Sequence, residues 1–171
     1  SDYLDDFAEA QQTTRDGAIA ELKQQYDGYH FTWPSPEIFN PFSLLNAFQD
    51  RDYSNYWFSS GTPTYLIEML RKFHVVPSKI GGAQVLASAF DAPTENMRNI
   101  TPLLYQSGYV TIKGFNRATR LYTLDIPNNE IRVGLMESLL PNYVHEYDVE
   151  GGTTIGFMYE ALLNGNLDEM F

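Results

Sequence analysis

A chain of 171 residues with 43% hydrophobic and 15% aromatic residues can bury a core, which excludes general disorder. Its net charge of −11 makes a nucleic-acid-binding surface improbable, because such a surface needs a local excess of Lys and Arg. The absence of cysteine excludes disulfides and thiolate metal sites, no apolar run approaches a membrane span, and the first residues lack a signal core. These features favour a cytoplasmic protein.

The N-terminal part is predicted to hold a helix followed by a short hairpin. Apolar residues at helical spacing predict a helix over 14–26, which Gly28 ends. Segments 29–33 and 37–39 are predicted to pair across the intervening Pro-Ser-Pro turn.

Pairs of a capping residue and a proline predict where the next helices begin. Asn40-Pro41 opens a helix over 42–48, in which Phe42, Leu45 and Phe48 are expected to be buried. Thr62-Pro63 opens a helix over 64–73, whose predicted inner face is Tyr65, Leu66, Met69, Leu70 and Phe73.

Two less regular segments follow these helices. Residues 85–90 are predicted to form a strand. Residues 95–106 are predicted to form two short helical segments broken at Thr101-Pro102, a third pair of this kind.

The clearest local structure lies over 107–140. Alternating residues predict strands over 109–113 and 121–126, joined by a loop that begins at Gly114, where one residue can adopt positive φ. Asn128 is predicted to cap a helix over 128–140 that ends before a kink at Pro141. The predicted fold class is therefore mainly α with short β-hairpins, that is, α+β.

The sequence offers no catalytic or metal-binding constellation. His30, His74 and His145 lie far apart without partners at metal-ligand spacing, and we interpret each as a partly exposed turn or helix-end residue. Ser59-Ser60-Gly61 lacks the nucleophile-elbow frame, and Gly81-Gly82 lacks the lysine of a phosphate loop. We therefore expect this chain to be no enzyme and to hold no cofactor or metal.

One four-residue cluster, Tyr26-Asp27-Gly28-Tyr29, is called the corner below. Asp27 is expected to accept backbone amides, Gly28 to take positive φ, and the two tyrosines to pack over the turn. We interpret the corner as a rigid staple between helix and hairpin. The alternative is a surface that touches a nucleotide-binding domain or a partner.

Five sequence blocks in fixed order resemble the bacterial AAA-ATPase-like family whose members typically carry a C-terminal nuclease-like domain of the PD-(D/E)XK superfamily. They span about residues 20 to 135 and are Tyr26 to Phe31, Ile38 to Leu45, Tyr56 to Gly61, Leu103 to Lys113 and Tyr122 to Arg132. The resemblance implies a parent protein with a P-loop ATPase core before residue 1, a nuclease-like domain from near Phe157, and ATP and Mg bound by the parent.

This sequence lacks the catalytic motifs of the family it resembles, so the resemblance implies a non-catalytic part of such a protein. It has neither a glycine-rich loop ending in lysine and Ser/Thr nor a nuclease constellation of carboxylates and lysine. The implied domains are a helical lid-like region over 1–95, packed on a winged-helix-like module over 96–146, and a linker with the start of a truncated domain over 147–171.

The implied function is that of a non-catalytic lid that covers or senses the nucleotide site and relays its state to the nuclease-like domain. Its partners would be the P-loop core and the nuclease-like domain of the same chain, with no membrane and no nucleic acid. The candidate interdomain or nucleotide-proximal residues are Tyr26, Asp27, Gly28, Tyr29, Asn40, Ser60 and Gly61.

Two alternatives to the lid remain. A nucleic-acid-binding winged helix would use a basic face of Lys113, Arg117, Arg120 and Arg132, although Glu130 lies on the same helix as Arg132. A stand-alone hydrolase would need a pocket with a perturbed His or carboxylate, for which the sequence has no candidate.

Overall fold

The computed structural model describes residues 3–59, 64–75, 80–94 and 97–144. Its helices are α1 (Tyr3–Ala10), α2 (Arg15–Tyr26), α3 (Pro41–Asp50), α4 (Tyr56–Ser59), α5 (Thr64–Lys72), α6 (Ala87–Phe90), α7 (Thr101–Gln106) and α8 (Asn129–Val144). Its strands are β1 (Ala83–Val85), β2 (Thr111–Asn116) and β3 (Leu121–Asp125), which form one antiparallel sheet in the order β1-β3-β2. The fold is α+β, as predicted.

Some predictions fall outside the described residues. They concern Thr62-Pro63, the candidates Ser60 and Gly61, His145 and the segment 147–171. Among the helices that the structure describes, none is long and apolar enough to cross a bilayer.

Helices α1, α2 and α3 pack around a first hydrophobic cluster. The ring of Phe7 lies at its centre, edge-on to Phe48 at 5.6 Å and to Tyr53 at 5.0 Å between centroids. The predicted start of α2 is confirmed, because the Thr14 hydroxyl oxygen accepts a hydrogen bond from the Gly17 N–H at 3.1 Å.

Helix α3 begins as predicted but buries a different face. The Asn40 side-chain oxygen accepts hydrogen bonds from the N–H groups of Phe42 and Ser43, and Pro41 takes the first helical position. Ser43 and Ala47 face the core, whereas Phe42 and Leu45 are 47% and 68% exposed. The prediction that Phe42 and Leu45 are buried is therefore wrong: the face of α3 that packs on the first cluster carries Ser43 and Ala47, flanked by the partly buried Leu44 and Phe48.

The predicted hairpin over 29–39 is reduced to a single bridge. Tyr29 and Ile38 exchange two backbone hydrogen bonds, of 3.2 and 3.0 Å, and no longer strand forms on either side of them. The Trp33–Pro34 peptide bond in the connecting turn is cis.

Helix α5, β1, α6, α7 and the β2–β3 hairpin surround a second hydrophobic cluster. On α5 the buried residues are Leu66, Ile67 and Leu70, so the assignment of Tyr65 to the inner face is wrong: its side chain is 53% exposed. Leu66, Leu70 and Leu124 lie in the same core as Leu135 of α8.

The strand predicted over 85–90 is wrong for most of its length. Strand β1 ends at Val85, where it pairs with Tyr122 of β3, and the chain then turns into α6. The turn brings the Phe90 ring against the rings of Tyr105 and Tyr122, at 4.6 and 5.4 Å. Tertiary packing of one aromatic side chain thus overrides the strand preference of the segment.

Two short helices were predicted over residues 95–106. The second of them is confirmed as α7. Thr101 is its first residue and not its cap, and the Asn99 side-chain oxygen accepts a hydrogen bond from the Thr101 N–H at 3.0 Å. Residues 95 and 96 lie outside the described part of the chain.

The predicted β2–β3 hairpin is confirmed with a different turn. Gly114 lies inside β2, next to an irregularity in the register, and the connecting turn is 117–120. Arg120 and not a glycine takes the positive φ, at 58°. The Asn116 side-chain oxygen accepts hydrogen bonds from the Ala118 and Thr119 N–H groups, which stabilises this turn.

Helix α8 joins the two hydrophobic clusters. Its predicted cap is confirmed by the 3.1 Å hydrogen bond from the Ile131 N–H to the Asn128 side-chain oxygen. The helix continues past Pro141 to Val144, so its predicted end at 140 is wrong. It packs on α2 and α4, and Gly134 provides room for the Phe58 ring. The fully buried residues of the first cluster end at Tyr56 and those of the second begin at Leu66, although Tyr29 and Phe58 also pack against the second.

Candidate functional site

The corner lies where α2 meets the N-terminus of α8. Tyr26 is fully buried, and its hydroxyl donates to the Ser54 carbonyl at 2.9 Å and accepts from the Ser54 N–H at 3.0 Å. Burial raises the pKa of Tyr26, so this hydroxyl stays protonated. The side chain therefore fixes α2 to the segment before α4 and is not presented to another domain.

Gly28 adopts the predicted positive φ, at 96°. The Lys113 ammonium donates a hydrogen bond of 2.7 Å to the Gly28 carbonyl oxygen and lies 3.7 Å from Glu37. A Cβ at Gly28 would collide with the Pro127 carbonyl oxygen and would lie 2.8 Å from the Lys113 nitrogen. The corner thus requires glycine for both its backbone conformation and its close approach to Pro127.

The backbone of Asp27 is held from two sides, whereas its carboxylate is not bound as predicted. Its N–H donates to the Lys23 carbonyl at 3.0 Å, and its carbonyl accepts from the Asn128 side-chain amide at 2.9 Å. The Asp27 Oδ1 atom is buried and has no hydrogen-bond partner among the described residues. The backbone amides that we expected Asp27 to bind do not reach this oxygen.

Glu130 is a buried carboxylate that sequence reasoning missed. It lies in the first turn of α8 with 0% exposure, and its Oε1 accepts hydrogen bonds of 2.8 Å from the Ser43 hydroxyl and from the Trp57 N–H. Its Oε2 has no partner among the described residues. Burial raises the pKa of Glu130, and the hydrogen bonds from Trp57 and Ser43 oppose that rise.

Together these contacts form a polar seam, defined here as Asp27, Gly28, Ser43, Asn128 and Glu130. Through it, the first turn of α8 is hydrogen-bonded to the end of α2, to α3 and to the start of α4. The sequence carries no local signal for the burial of Glu130, because its partners Ser43 and Trp57 lie far away along the chain.

Beside the corner lies a groove with a volume of about 580 Å³. Its walls come from the Tyr29–Ile38 bridge, the start of α3, Trp57 and the end of α7 with the turn after it. The lining residues are Tyr29, His30, Phe31, Ile38, Phe39, Asn40, Pro41, Trp57, Tyr105, Gln106, Ser107, Gly108, Val110 and Thr111. Of the five predicted candidates that the structure describes, two line the groove, Tyr29 and Asn40.

His30, interpreted from sequence as partly exposed, is buried, and that interpretation is wrong. Its N–H donates to the Thr111 hydroxyl oxygen at 2.8 Å, and the same hydroxyl donates to the His30 carbonyl at 2.9 Å. Its ring lies 3.1 Å from the Ser35 hydroxyl and packs against Trp33. His30 thus ties the bridge segment to the start of β2. His74 is exposed just after α5, as predicted.

The four basic residues of the nucleic-acid alternative do not act together. Lys113 is engaged at the corner with the Gly28 carbonyl, while Arg117 and Arg120 are exposed at the hairpin turn and Arg132 is half-buried on α8. Within the described ranges, no group of three or more His, Cys, Asp or Glu side chains could hold a metal ion.

Comparisons with known proteins give one relative and no functional assignment. No family model matches the chain, and no solved structure matches it. Over 134 residues, 74% of this chain, it is 37% identical to a protein of Azotobacter chroococcum mcd 1 described as an uncharacterized protein in the vnfD 5′ region. The matched part spans only 24% of that protein.

Proposed function

We propose that this chain is the lid and winged-helix-like region of a larger AAA-ATPase-like protein, called the parent below. In this proposal the chain is non-catalytic. It covers or senses the nucleotide site of a P-loop core that binds ATP and Mg, and it relays the state of that site to a C-terminal nuclease-like domain.

The observation that carries the proposal is the polar seam. A relay requires that the two parts of the chain move together. Helix α8 packs in the second cluster, and through the polar seam its N-terminal end forms hydrogen bonds with α2, α3 and α4, which precede that cluster. Glu130 supplies two of these hydrogen bonds, because its carboxylate accepts from both α3 and α4. A displacement of the first half would therefore be carried to α8.

The order of elements supports the winged-helix-like assignment. From α5 to β3 the chain runs helix, strand, helix, helix, strand, strand, and its sheet order is β1-β3-β2. Winged helices have this succession, with the last hairpin as the wing. We therefore propose that the module begins at α5 and not at residue 96, where the sequence alone had suggested it, and that α8 connects it to the lid-like half.

The experiment that tests the proposal is hydrogen exchange on the parent with and without a non-hydrolysable ATP analogue. We expect the amides of the corner to exchange more slowly when the nucleotide is bound, because they lie in the part of the chain that would cover it.

The winged-helix order also favours a second candidate, binding of duplex DNA. In winged helices of this order the second of the two adjacent helices commonly enters the DNA groove. Here that helix is α7, Thr101–Gln106, which contains no Lys or Arg. Arg117 and Arg120 of the hairpin turn are the exposed cations nearest to a wing contact. This arrangement supports the lid better than the DNA-binding function.

At physiological salt we therefore expect duplex DNA to bind this chain with a Kd weaker than about 100 μM, the upper end of non-specific binding. Fluorescence anisotropy with a labelled duplex at several salt concentrations measures it. A micromolar, salt-sensitive complex that is lost on Arg117→Glu plus Arg120→Glu, but kept on Lys23→Glu at an exposed position of α2, would contradict the lid and establish the second candidate.

A further inference from the structure

We propose that a second cavity, called the α7 cavity below, binds a small monocarboxylate with an unbranched apolar tail, such as a medium-chain fatty acid. The cavity lies within the second hydrophobic cluster, beside α7. Among the lining residues that the structure describes, it shares only Val110 with the groove. This inference does not rest on the proposed function, so either can fail without the other.

The α7 cavity reaches into the core of the second cluster. Its volume is about 320 Å³. Its apolar walls come from the segment after α5, from α7 and from the sheet, and include Phe73, Val75, Ile100, Leu104, Val110 and Leu124. The last four of these are at most 5% exposed. Protein interiors contain few voids larger than a water molecule, so a space of this size is suited to a bound molecule.

The volume and the walls define the apolar part of the ligand. One water molecule occupies about 30 Å³ of the liquid, and at that share per non-hydrogen atom the cavity holds roughly ten such atoms. An eight-carbon carboxylate, with its two oxygens, has this size. Because the walls are aliphatic apart from the Phe73 ring, the part of the ligand that lies against them is a hydrocarbon chain.

One end of the α7 cavity is polar. Arg98, Asn99 and Thr101 line it where the chain enters α7, and the first two are exposed, so this end meets solvent. The Arg98 side chain forms no ion pair or hydrogen bond with any residue that the structure describes. The Asn99 side-chain oxygen accepts from the Thr101 N–H, which leaves the Asn99 amide N–H groups to donate. A planar guanidinium beside a second donor matches a carboxylate.

The charges at the α7 cavity favour an anion with a single negative charge. No Asp or Glu is among its described lining residues, although the chain carries 22 acidic residues. One arginine balances one carboxylate. A phosphate group carries about −1.5 to −2 at pH 7, and the excess would be repelled by a chain with a net charge of −11. The monocarboxylate is therefore the better match.

Titration with a series of ligands tests the apolar part of the site. The probes are sodium octanoate and sodium hexanoate, added to the chain with ¹³C-labelled Ile, Leu and Val methyl groups. We expect octanoate to saturate with a Kd below about 1 mM and to shift the methyl signals of Ile100, Leu104 and Val110. Hexanoate should bind at least about tenfold more weakly, because each buried methylene strengthens binding about fourfold.

Three results of this titration would overturn the proposal. They are an octanoate Kd weaker than about 1 mM, hexanoate binding as tight as that of octanoate, and methyl shifts centred on Leu22 of the first cluster.

Arg98→Gln tests the polar end, with octan-1-ol as a ligand of equal chain length that lacks the charge. We expect the Kd of octanoate to rise at least about threefold and that of octan-1-ol to change by less than about twofold. Arg117→Gln, at the exposed hairpin turn, is the matched control and should change neither Kd. Thermal melts establish that both variants fold. An unchanged Kd for octanoate, or equal losses for octanoate and octan-1-ol, would contradict the assignment of Arg98 to a carboxylate.

Discussion

Gly28→Ala is expected to lower the free energy of unfolding of this chain by about 3 kcal/mol. The backbone at Gly28 has a φ of 96°, which costs a residue with a Cβ on the order of 1 kcal/mol. The added methyl would also collide with the Pro127 carbonyl oxygen, a backbone atom that cannot move without shifting the start of α8. Overpacking of that kind costs about 1–3 kcal/mol more. Urea denaturation measures the loss.

Gly82→Ala is the matched control for that substitution. Gly82 also has positive φ, at 73°, but a Cβ there would have no neighbour within 4 Å among the residues that the structure describes. We expect this variant to lose only about 1 kcal/mol, the cost of the backbone conformation alone. Equal losses for the two variants would show that the approach of the corner to Pro127 does not matter to stability.

Glu130→Ala is expected to destabilise the chain by about 3 kcal/mol, because it leaves the Ser43 hydroxyl and the Trp57 N–H without their buried acceptor. Glu130→Gln keeps an acceptor oxygen at that place and is expected to cost about 1 kcal/mol or less. Glu68→Gln, at an exposed position of α5, is the control and should change stability by less than about 0.5 kcal/mol. Equal effects of Ala and Gln at 130 would contradict the role assigned to its oxygen.

The same carboxylate predicts a pH dependence with a definite sign. Burial raises the pKa of Glu130 above its ordinary value of 4.5, so between 4.5 and the folded-state pKa the folded chain binds more protons than the unfolded chain. Stability contributed by this group therefore falls as pH rises through that window. Relative to Glu130→Gln, the wild type should gain stability as pH is lowered from 7 towards 4.5. A difference that is flat with pH, or of opposite slope, would contradict this.

Local sequence signals predicted two of the caps, whereas the cap predicted at Thr101 was wrong. Asn40 and Asn128 each accept a hydrogen bond from the first turn of the helix they precede. These contacts involve residues two or three positions apart, so the sequence alone contains what determines them. The positive φ of Gly28 was predictable for the same reason, since a glycine after a helix usually takes that conformation.

Features that depend on distant parts of the chain were not predictable in this way. Strand β1 forms because an edge of β3 is available to Ala83–Val85, about 40 residues later in the sequence. Phe42 and Leu45 follow helical spacing, yet they face outward because α3 turns Ser43 and Ala47 towards the core. Apolar residues at helical spacing predict that one face of a helix is in contact with another surface. They do not indicate whether that surface belongs to the core of the same chain or to a partner.

The candidate site was predicted in part. The corner was found because two tyrosines flank a glycine turn, and Tyr29 and Asn40 do lie in the groove. The polar seam was not found, since the partners of Glu130 are Ser43 and Trp57, each more than 70 positions away in the sequence. Charge alone favoured a solvent-exposed Glu130, and only tertiary structure reveals it as buried.

Hydrogen exchange on the parent, with and without a non-hydrolysable ATP analogue, tests the lid and relay most directly. We expect the analogue to slow exchange by at least about tenfold at residues 26–31 and 105–111, which form the corner and part of the groove walls, and at the first turn of α8. Residues 5–9 of α1, away from the groove lining, serve as the internal control and should not change. If the P-loop amides respond to the analogue while these segments exchange at the same rate in both states, the chain does not sense the nucleotide site.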